Sequence, residues 1–484
     1  MNLPELGVGL TWFAGLEPVL ENNAGLIDLL EIEPQTFWRR QGQTGTLIVD
    51  QPLLQSLRER PMPKLIHSIG LPVGGTRPPH ASSLELLRRV ALELEVPWLS
   101  EHLSFNRIED DSGTWHTGFP LPPRQTLAGV AAAVSSIGRL SSSVPMPVAV
   151  ETGVNYLQPR ADELPDGEFV ARIAEAADCG ILLDLHTIWT NHRNGRQTVD
   201  EFLDQLPLAR VWEVHMAGGS SHRGYWLDAH SGAVPDELLE LALRIVPRLP
   251  NLKAIVFELF PAYFPAVGTA MFRPQLEALQ RLWDRRGRYT HTSPRRRAEP
   301  RETDPAPSPL GWEATLGALT TRRKCSGPLA EELRNDPGVS IIREMLEQFR
   351  GSMIVRTLRL SSRLIMLERG TAYFAQLLAE FWKTHPPQPF ACDEAESFAA
   401  FLRDRKPYVP FLTEVLEYDR AVVDVALNGE ERLIPFRTDP LPLLRALGAG
   451  RRPTEITTGN FEVRLTPDQI TADAKKLAQM QVIH

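Results

Sequence analysis

Residues 211–232 read VWEVHMAGGSSHRGYWLDAHSG. An apolar run closes on His215, a glycine pair turns the chain, and the loop beyond brings Asp228 and His230 two positions apart. Side chains alternate along a strand, so Glu213 and His215 share one face. A buried strand that ends in titratable groups facing one way suggests a site at its carboxyl end. Seven other short apolar runs precede or follow it: LGVGLTW, LLEIEP, KLIHSIG, WLSEHLSF, MPVAVETG, GILLDLH and AIVFELF. Amphipathic stretches of helical spacing, such as SSLELLRRVALELE and DELLELALRIVPRL, lie between them. Strand and helix alternating in this way predict an α/β fold, a parallel sheet closed into a (β/α)8 TIM-type barrel over residues 1–285.

Composition agrees with a protein that builds a core. Of 484 residues, 43% are hydrophobic and 23% charged, ordinary values for a globular chain and enough length for two or three domains. No stretch reaches the apolar length of a membrane helix. The N-terminus MNLPELGVGL lacks the basic and apolar regions of a secretory signal. Three scattered cysteines, Cys179, Cys325 and Cys392, exclude a disulfide framework and a thiolate zinc site, and they fit a reducing cytoplasm. A formal charge of −8 disfavours nucleic acid as a partner, because phosphates reward excess Lys and Arg.

Other strand ends repeat what the opening stretch does. His67 ends the third run, His102 the fourth and Glu151 the fifth; Asp184 and His186 end the sixth and Glu258 the eighth. Barrel active sites occupy that rim. Imidazoles and carboxylates converging without thiolates suit Zn, Fe, Mn or Co. Nine side chains exceed the needs of one ion, so a multinuclear centre is expected, with Glu151 and Glu258 as bridging carboxylates. Taken singly, each has a bland reading: Asp184 as a turn residue, Glu151 or Glu258 as a helix cap, His67 as a hydrogen-bonded polar group. Recurrence in register is what favours metal. Glu31 and Glu33 share a face of the second run, and Glu33, Asn155 and Glu213 are read as substrate contacts. His80, His116, His192, His222, His291, His385 and His484 are read as solvated surface, and Cys179 as a packed thiol.

Residues 286–311 carry a basic block, Arg295 to Arg297, and a run of prolines, the composition of an extended linker. Residues 312–484 are mainly helical in pattern, with two late strand-like pieces, RLIPFRT and TEITTGNFEVRLT.

Taken in order, the motifs GVGL, LLEIEP, IHSIGLPVGG, LSEHLSF, PLPPRQTL, VAVETGVNY, GILLDLHTIW, WEVHMAGG, LDAHSGAV and IVFELF resemble the multinuclear non-heme iron-dependent oxidative enzymes, the family of the methanobactin biosynthesis oxidase. The resemblance implies a TIM-type barrel holding two or three iron ions (Fe2+/Fe3+), with dioxygen as co-substrate. It further implies modification of a residue, most often cysteine, in a ribosomally synthesised precursor peptide. Position by position, the family's ligands match His67, His102, Glu151, Asp184, His215, Asp228, His230 and Glu258. Two departures stand out: the first strand lacks the family's histidine, and His186 stands where the family carries asparagine. His186 is added as a ninth ligand on its own chemistry. The region after residue 311 resembles the partner proteins that accompany these oxidases and help to recognise the precursor's leader; here it is fused. The alternative is a divalent-metal hydrolase or isomerase of the endonuclease IV or xylose isomerase type, whose ligands also sit at strand ends.

Overall fold

A computed structural model describes residues 3–41, 46–110, 113–287, 295, 297 and 308–469. Eight parallel strands close into a barrel: β1 Gly7–Thr11, β2 Leu29–Ile32, β3 Lys64–Ser68, β4 Leu99–His102, β5 Val148–Glu151, β6 Gly180–Asp184, β7 Val211–Ala217 and β8 Ala254–Glu258. Each pairs with its neighbours in sequence and β1 closes on β8, with Gly7 opposite Ala254. All eight apolar runs are therefore strands of one barrel, and the TIM-type reading holds. Their Val, Ile and Leu residues are buried on both faces because a ring of helices covers the outside.

Local chemistry fixes where strands give way to helices. Asp184 ends β6, and its Oδ1 accepts from the Thr187 backbone N–H at 3.0 Å, capping the helix Leu185–Arg193. Asp50 and Thr126 cap the helices Gln51–Arg58 and Leu127–Ser143 in the same way. Three antiparallel hairpins, unforeseen in the sequence, rise from the carboxyl ends of strands: Trp38–Val49, Phe105–Leu121 and Ser220–Leu227.

The C-terminal region is helical, from Pro309–Thr320 to Pro440–Gly448, with β9 Arg432–Thr438 and β10 Thr458–Leu465 paired antiparallel. The two strand-like pieces are thus one hairpin. The region has its own core around Ile354, Phe374, Phe381, Phe398 and Leu416. A third apolar cluster joins it to the barrel, where Phe105, Ile108, Leu121, Tyr156 and Leu227 meet Trp312, Leu316 and Ile342. Trp312 is the centre of that seam. Its indole N–H donates to the Pro122 carbonyl at 3.0 Å, and the guanidinium groups of Arg124 and Arg160 lie over its ring. Gly338 allows the helix Pro337–Thr357 to approach the Tyr156 backbone so closely that a Cβ there would lie 2.1 Å from the Tyr156 carbonyl oxygen. Polar ties surround the seam: Arg160 with Glu332 and Asp336, Arg40 with Asp393, and His222 with Glu344 at 2.9 Å.

Most of the expected linker lies outside the described residues, as do His291, His484 and Arg296. Arg295 is not a solvated spacer residue: it pairs with Glu168 at 2.6 Å and Glu175 at 3.1 Å, and so ties to an outer helix of the barrel. His222 and His385 are likewise not merely solvated, since His385 stacks on Phe381 at 4.6 Å between ring centroids. Burial pushes the His116 imidazole down to about 4, with Arg107 adding to the effect. Cys179 is a packed thiol, as expected. No helix among the described residues is long and apolar enough to cross a membrane.

Trp312→Ala is expected to cost about 3–5 kcal/mol, the usual loss for a buried tryptophan. Chemical denaturation should show the C-terminal region releasing at lower denaturant than in the parent, before the barrel unfolds.

Candidate metal centre

The carboxyl ends of β3 to β8 bring His67, His102, Glu151, Asp184, His215 and Glu258 into one pocket, and the loop after the hairpin Ser220–Leu227 adds Asp228 and His230 from the side. Their donor atoms fall into overlapping groups, each within 4.8 Å: His67 with His102 and Glu151; Glu151 with Asp184 and His215; Asp184 with His230 and Glu258; and His186 with Asp228 and His230. Glu151 and Asp184 each belong to two groups, as carboxylates between neighbouring ions do.

Several close pairs lack the geometry of hydrogen bonds. The His102 Nε2 lies 2.9 Å from Glu151 Oε2, and His230 Nδ1 lies 3.0 Å from Glu258 Oε1. Yet Glu151 Oε2, Asp184 Oδ2 and His230 Nδ1 are buried without a hydrogen-bond partner. Donor atoms on adjacent corners of a six-coordinate ion with bonds near 2.1 Å stand about 3 Å apart. The set of imidazoles and carboxylates, their spacing and these orphaned atoms fit divalent transition metals.

Outer contacts set the direction of each ligand, as they do around metal-binding histidines generally. His67 Nδ1 faces the Ser100 hydroxyl at 2.9 Å, turning Nε2 toward Glu151. His215 Nε2 faces Glu31 Oε1 at 2.9 Å, which leaves Nδ1 toward Glu258 at 3.1 Å and Glu151 at 3.8 Å. The Thr11 hydroxyl donates to Glu31, and the Trp98 indole donates to Glu213 at 2.9 Å. Asp184 does double work: Oδ1 caps a helix while Oδ2 stays free for the pocket. The turn-residue reading accounts for one oxygen of Asp184, and the other is left for a ligand role.

Charge crowding is severe. Burial, reinforced by the Asp228 and Glu151 charges, raises the Asp184 carboxyl to about 7. Burial with the Glu258 and Glu31 charges raises Glu33 to about 8. Burial pushes the imidazoles of His102, His215 and His230 down, but facing carboxylates more than offset it and hold them well above the usual range. Glu258 is held well below its usual range because His230 and His215 outweigh its burial.

The three expected substrate contacts separate. Glu33 is half-buried at the pocket mouth, near enough to His102, His230 and Glu258 to feel their charges. Asn155 is buried in a turn, where its Oδ1 accepts from the Leu157 N–H at 3.0 Å. Glu213, 1% exposed, lies on the floor beside Glu31 and Trp98. Strand alternation places Glu213 on the inward face but says nothing of depth, and depth is what closes it off. His186 reaches the cluster with both ring nitrogens engaged, Nδ1 at 2.6 Å from Asp228 and Nε2 at 3.1 Å from the Trp226 indole nitrogen. Phe260, whose ring lies 4.5 Å from that of His230, borders the pocket; a lone aromatic after a strand gives no sequence signal for that place.

Barrel and pocket together define a (β/α)8 protein with imidazoles and carboxylates converging in groups that could hold metal at the carboxyl ends of its strands. The family model for the RiPP precursor modification enzyme MbnB/TglH/ChrH matches residues 5–262, and the chain belongs to that family. The resemblance read from the motifs is thereby borne out. The UPF0276 protein of Anaeromyxobacter sp. (strain Fw109-5) is 31% identical over 205 residues, 42% of this chain and 70% of that one. That of Chromobacterium violaceum is 29% identical over 187 residues, 39% of this chain and 66% of its own. A Streptomyces avermitilis UPF0276 protein is 27% identical over 250 residues, covering 51% of this chain and 50% of itself. Among solved structures, endonuclease IV from Thermus thermophilus aligns over 58% of this chain and 99% of its own at 17% identity and a TM-score of 0.36.

Metal ligands must shed protons to bind. With Asp184 at about 7 in the metal-free protein, affinity for Fe(II) should fall as pH drops through 7 and rise above it. Anaerobic titrations at several pH values, followed by proton release, check this. Glu151→Ala, which removes the carboxylate shared by two groups, should lower the bound-metal stoichiometry measured by elemental mass spectrometry.

Proposed function

We propose that this chain is a cytoplasmic, iron- and dioxygen-dependent oxidoreductase that modifies a residue, cysteine foremost, of a ribosomally synthesised precursor peptide. The observation that carries the reading is a thiolate-free pocket of overlapping ligand groups in a member of a precursor-modifying family. The ligands would be His67, His102, Glu151, Asp184, His215, Asp228, His230 and Glu258, holding two or three ions. Iron bound there supplies the one-electron chemistry toward dioxygen that side chains lack.

The protein's own part is placement. His102, with its side chain 27% exposed, is the most open imidazole of the pocket, and Glu33 stands beside it at the mouth. Without metal, burial and the Glu258 and Glu31 charges raise Glu33 to about 8, and a protonated carboxyl there would donate a hydrogen bond to an approaching peptide carbonyl or sulfur. Phe260, exposed and packed against His230, gives the pocket an apolar border that strips water from the entering side chain. Residues 312–484 form the peptide-recognition domain in this reading, joined through residues 286–311 to the barrel domain of residues 1–285. Two ties favour that role: the seam around Trp312, and the bond from Glu344 to His222, on the hairpin that leads into Asp228. Holding the leader there raises the effective concentration of the target residue at the mouth.

The deciding experiment is mass spectrometry of a precursor peptide encoded beside this gene and co-expressed with the protein, with and without oxygen. An oxygen-dependent mass change lost in His102→Ala supports the reading; an unchanged peptide in every such pairing overturns it. Glu33→Gln keeps the hydrogen-bond donor and should retain bound metal, whereas Glu33→Ala should slow turnover by about ten- to a hundredfold at unchanged metal content. Substitution of Leu433 and Leu441, exposed apolar residues of the C-terminal region, is expected to leave metal content untouched.

A further inference from the structure

The hairpin Ser220–Leu227 ends in Trp226-Leu227-Asp228, and the helix Leu185–Arg193 runs beside it. Asn194, at the end of that helix, clamps the Trp226 backbone: its amide nitrogen donates to the Trp226 carbonyl and its Oδ1 accepts from the Trp226 N–H, both at 2.8 Å. The Trp226 ring packs edge-on against Trp189 at 5.3 Å between centroids, and the Arg193 guanidinium lies 4.7 Å from each indole. Trp226 is thus held at its backbone and at its ring. Its indole N–H points at His186 Nε2, 3.1 Å away.

An indole nitrogen only donates, so His186 Nε2 accepts. The proton of the neutral ring then sits on Nδ1, which donates to Asp228 Oδ1 at 2.6 Å. The Thr187 hydroxyl donates to Asp228 Oδ2 at 3.0 Å, and Asp228 Oδ1 lies 3.0 Å from His230 Nε2. His186 is fully buried and has no lone pair left for an ion. His230 needs such support: its φ of 43° puts a non-glycine residue in the left-handed region, which costs about 1 kcal/mol or more unless neighbours hold it.

We propose that His186 is a positioning residue and not a metal ligand: with its tautomer set by Trp226, it orients Asp228 and, through Asp228, His230. This rests on the pocket being a metal centre. Asparagine at this position would offer an amide to the same carboxylate but is too short to span from Asp228 to the indole; the imidazole and tryptophan together lengthen the link. The effect is local to the group formed by Asp184, Asp228, His230 and Glu258, and it does not reach His67 and His102.

Anaerobic Fe(II) titration of the metal-stripped full chain, with stoichiometry from elemental mass spectrometry, tests the assignment in His186→Gln, His186→Phe and Trp226→Phe. Glutamine accepts from the indole and donates to Asp228, so it should keep most of the affinity. Phenylalanine at 186 should weaken one ion by about ten- to a hundredfold, the usual effect of losing an outer-contact residue, and leave the others bound. Trp226→Phe should weaken the same ion. Equal loss in His186→Gln and His186→Phe, with Trp226→Phe neutral or tighter because Nε2 is freed, would make His186 a ligand and overturn the proposal. Three variants that all bind as the parent does also overturn it. If His186→Phe fails to fold by circular dichroism, the other two decide by the same signs. A parent chain that binds no Fe(II) sinks the metal reading itself, an outcome distinct from variants that fail to differ.

Discussion

Carboxylates packed into one end of a barrel repel one another, and burial deprives them of the water that would screen them. Glu31, Glu151, Asp184, Glu213 and Glu258 are all buried in this pocket, with Asp228 at its edge and Glu33 at its mouth. Their charges are tolerable only if positive charge shares the space. Imidazoles held well above their usual range are one answer, and it is the one a metal-free chain adopts. Metal ions are the other, and they displace those protons. The pocket is thus suited to cations, and the contacts around it keep its imidazoles and carboxylates facing inward.

The barrel makes the arrangement rigid. Strand ends are hydrogen-bonded on both sides, so His102 stands opposite Glu151 and Asp184 opposite His215 by register alone. Side chains from the strands therefore need few additional contacts. The loop after β7 has no such frame. It gains one from the hairpin Ser220–Leu227, from the tryptophans and asparagine that dock that hairpin, and from Phe260, whose backbone N–H donates to the His230 carbonyl at 3.0 Å. The pocket is therefore a stiff floor and wall with one ligand pair hung on a braced loop. The brace is continuous with the C-terminal region, since the same hairpin carries the His222–Glu344 contact.

Much of this was legible in the sequence because it depends on periodicity. Apolar runs alternating with amphipathic ones are enough for a closed parallel barrel, and the residue type at each run's end is enough to nominate His67, His102, Glu151, Asp184, His215 and Glu258. The depth of Glu213 was not legible, because alternation gives the face of a strand but not its depth in the barrel, and Asn155 lies in a loop beyond Val148–Glu151 that periodicity does not describe. Nor was the role of Trp226: an indole in a polar loop looks like any exposed aromatic until a helix from the preceding unit lies against it.

Sequence by itself determined the barrel and the family, and it nominated the imidazoles and carboxylates that the barrel gathers at one rim. Those follow from local patterns, in which each residue's neighbours along the chain carry the information. Tertiary structure alone decided which carboxylates are shared between groups, which stay sealed on the floor, and how the C-terminal helices seat against Trp312. These depend on groups distant in the chain meeting at about 3 Å, where hydrogen-bond direction and charge separate one role from another.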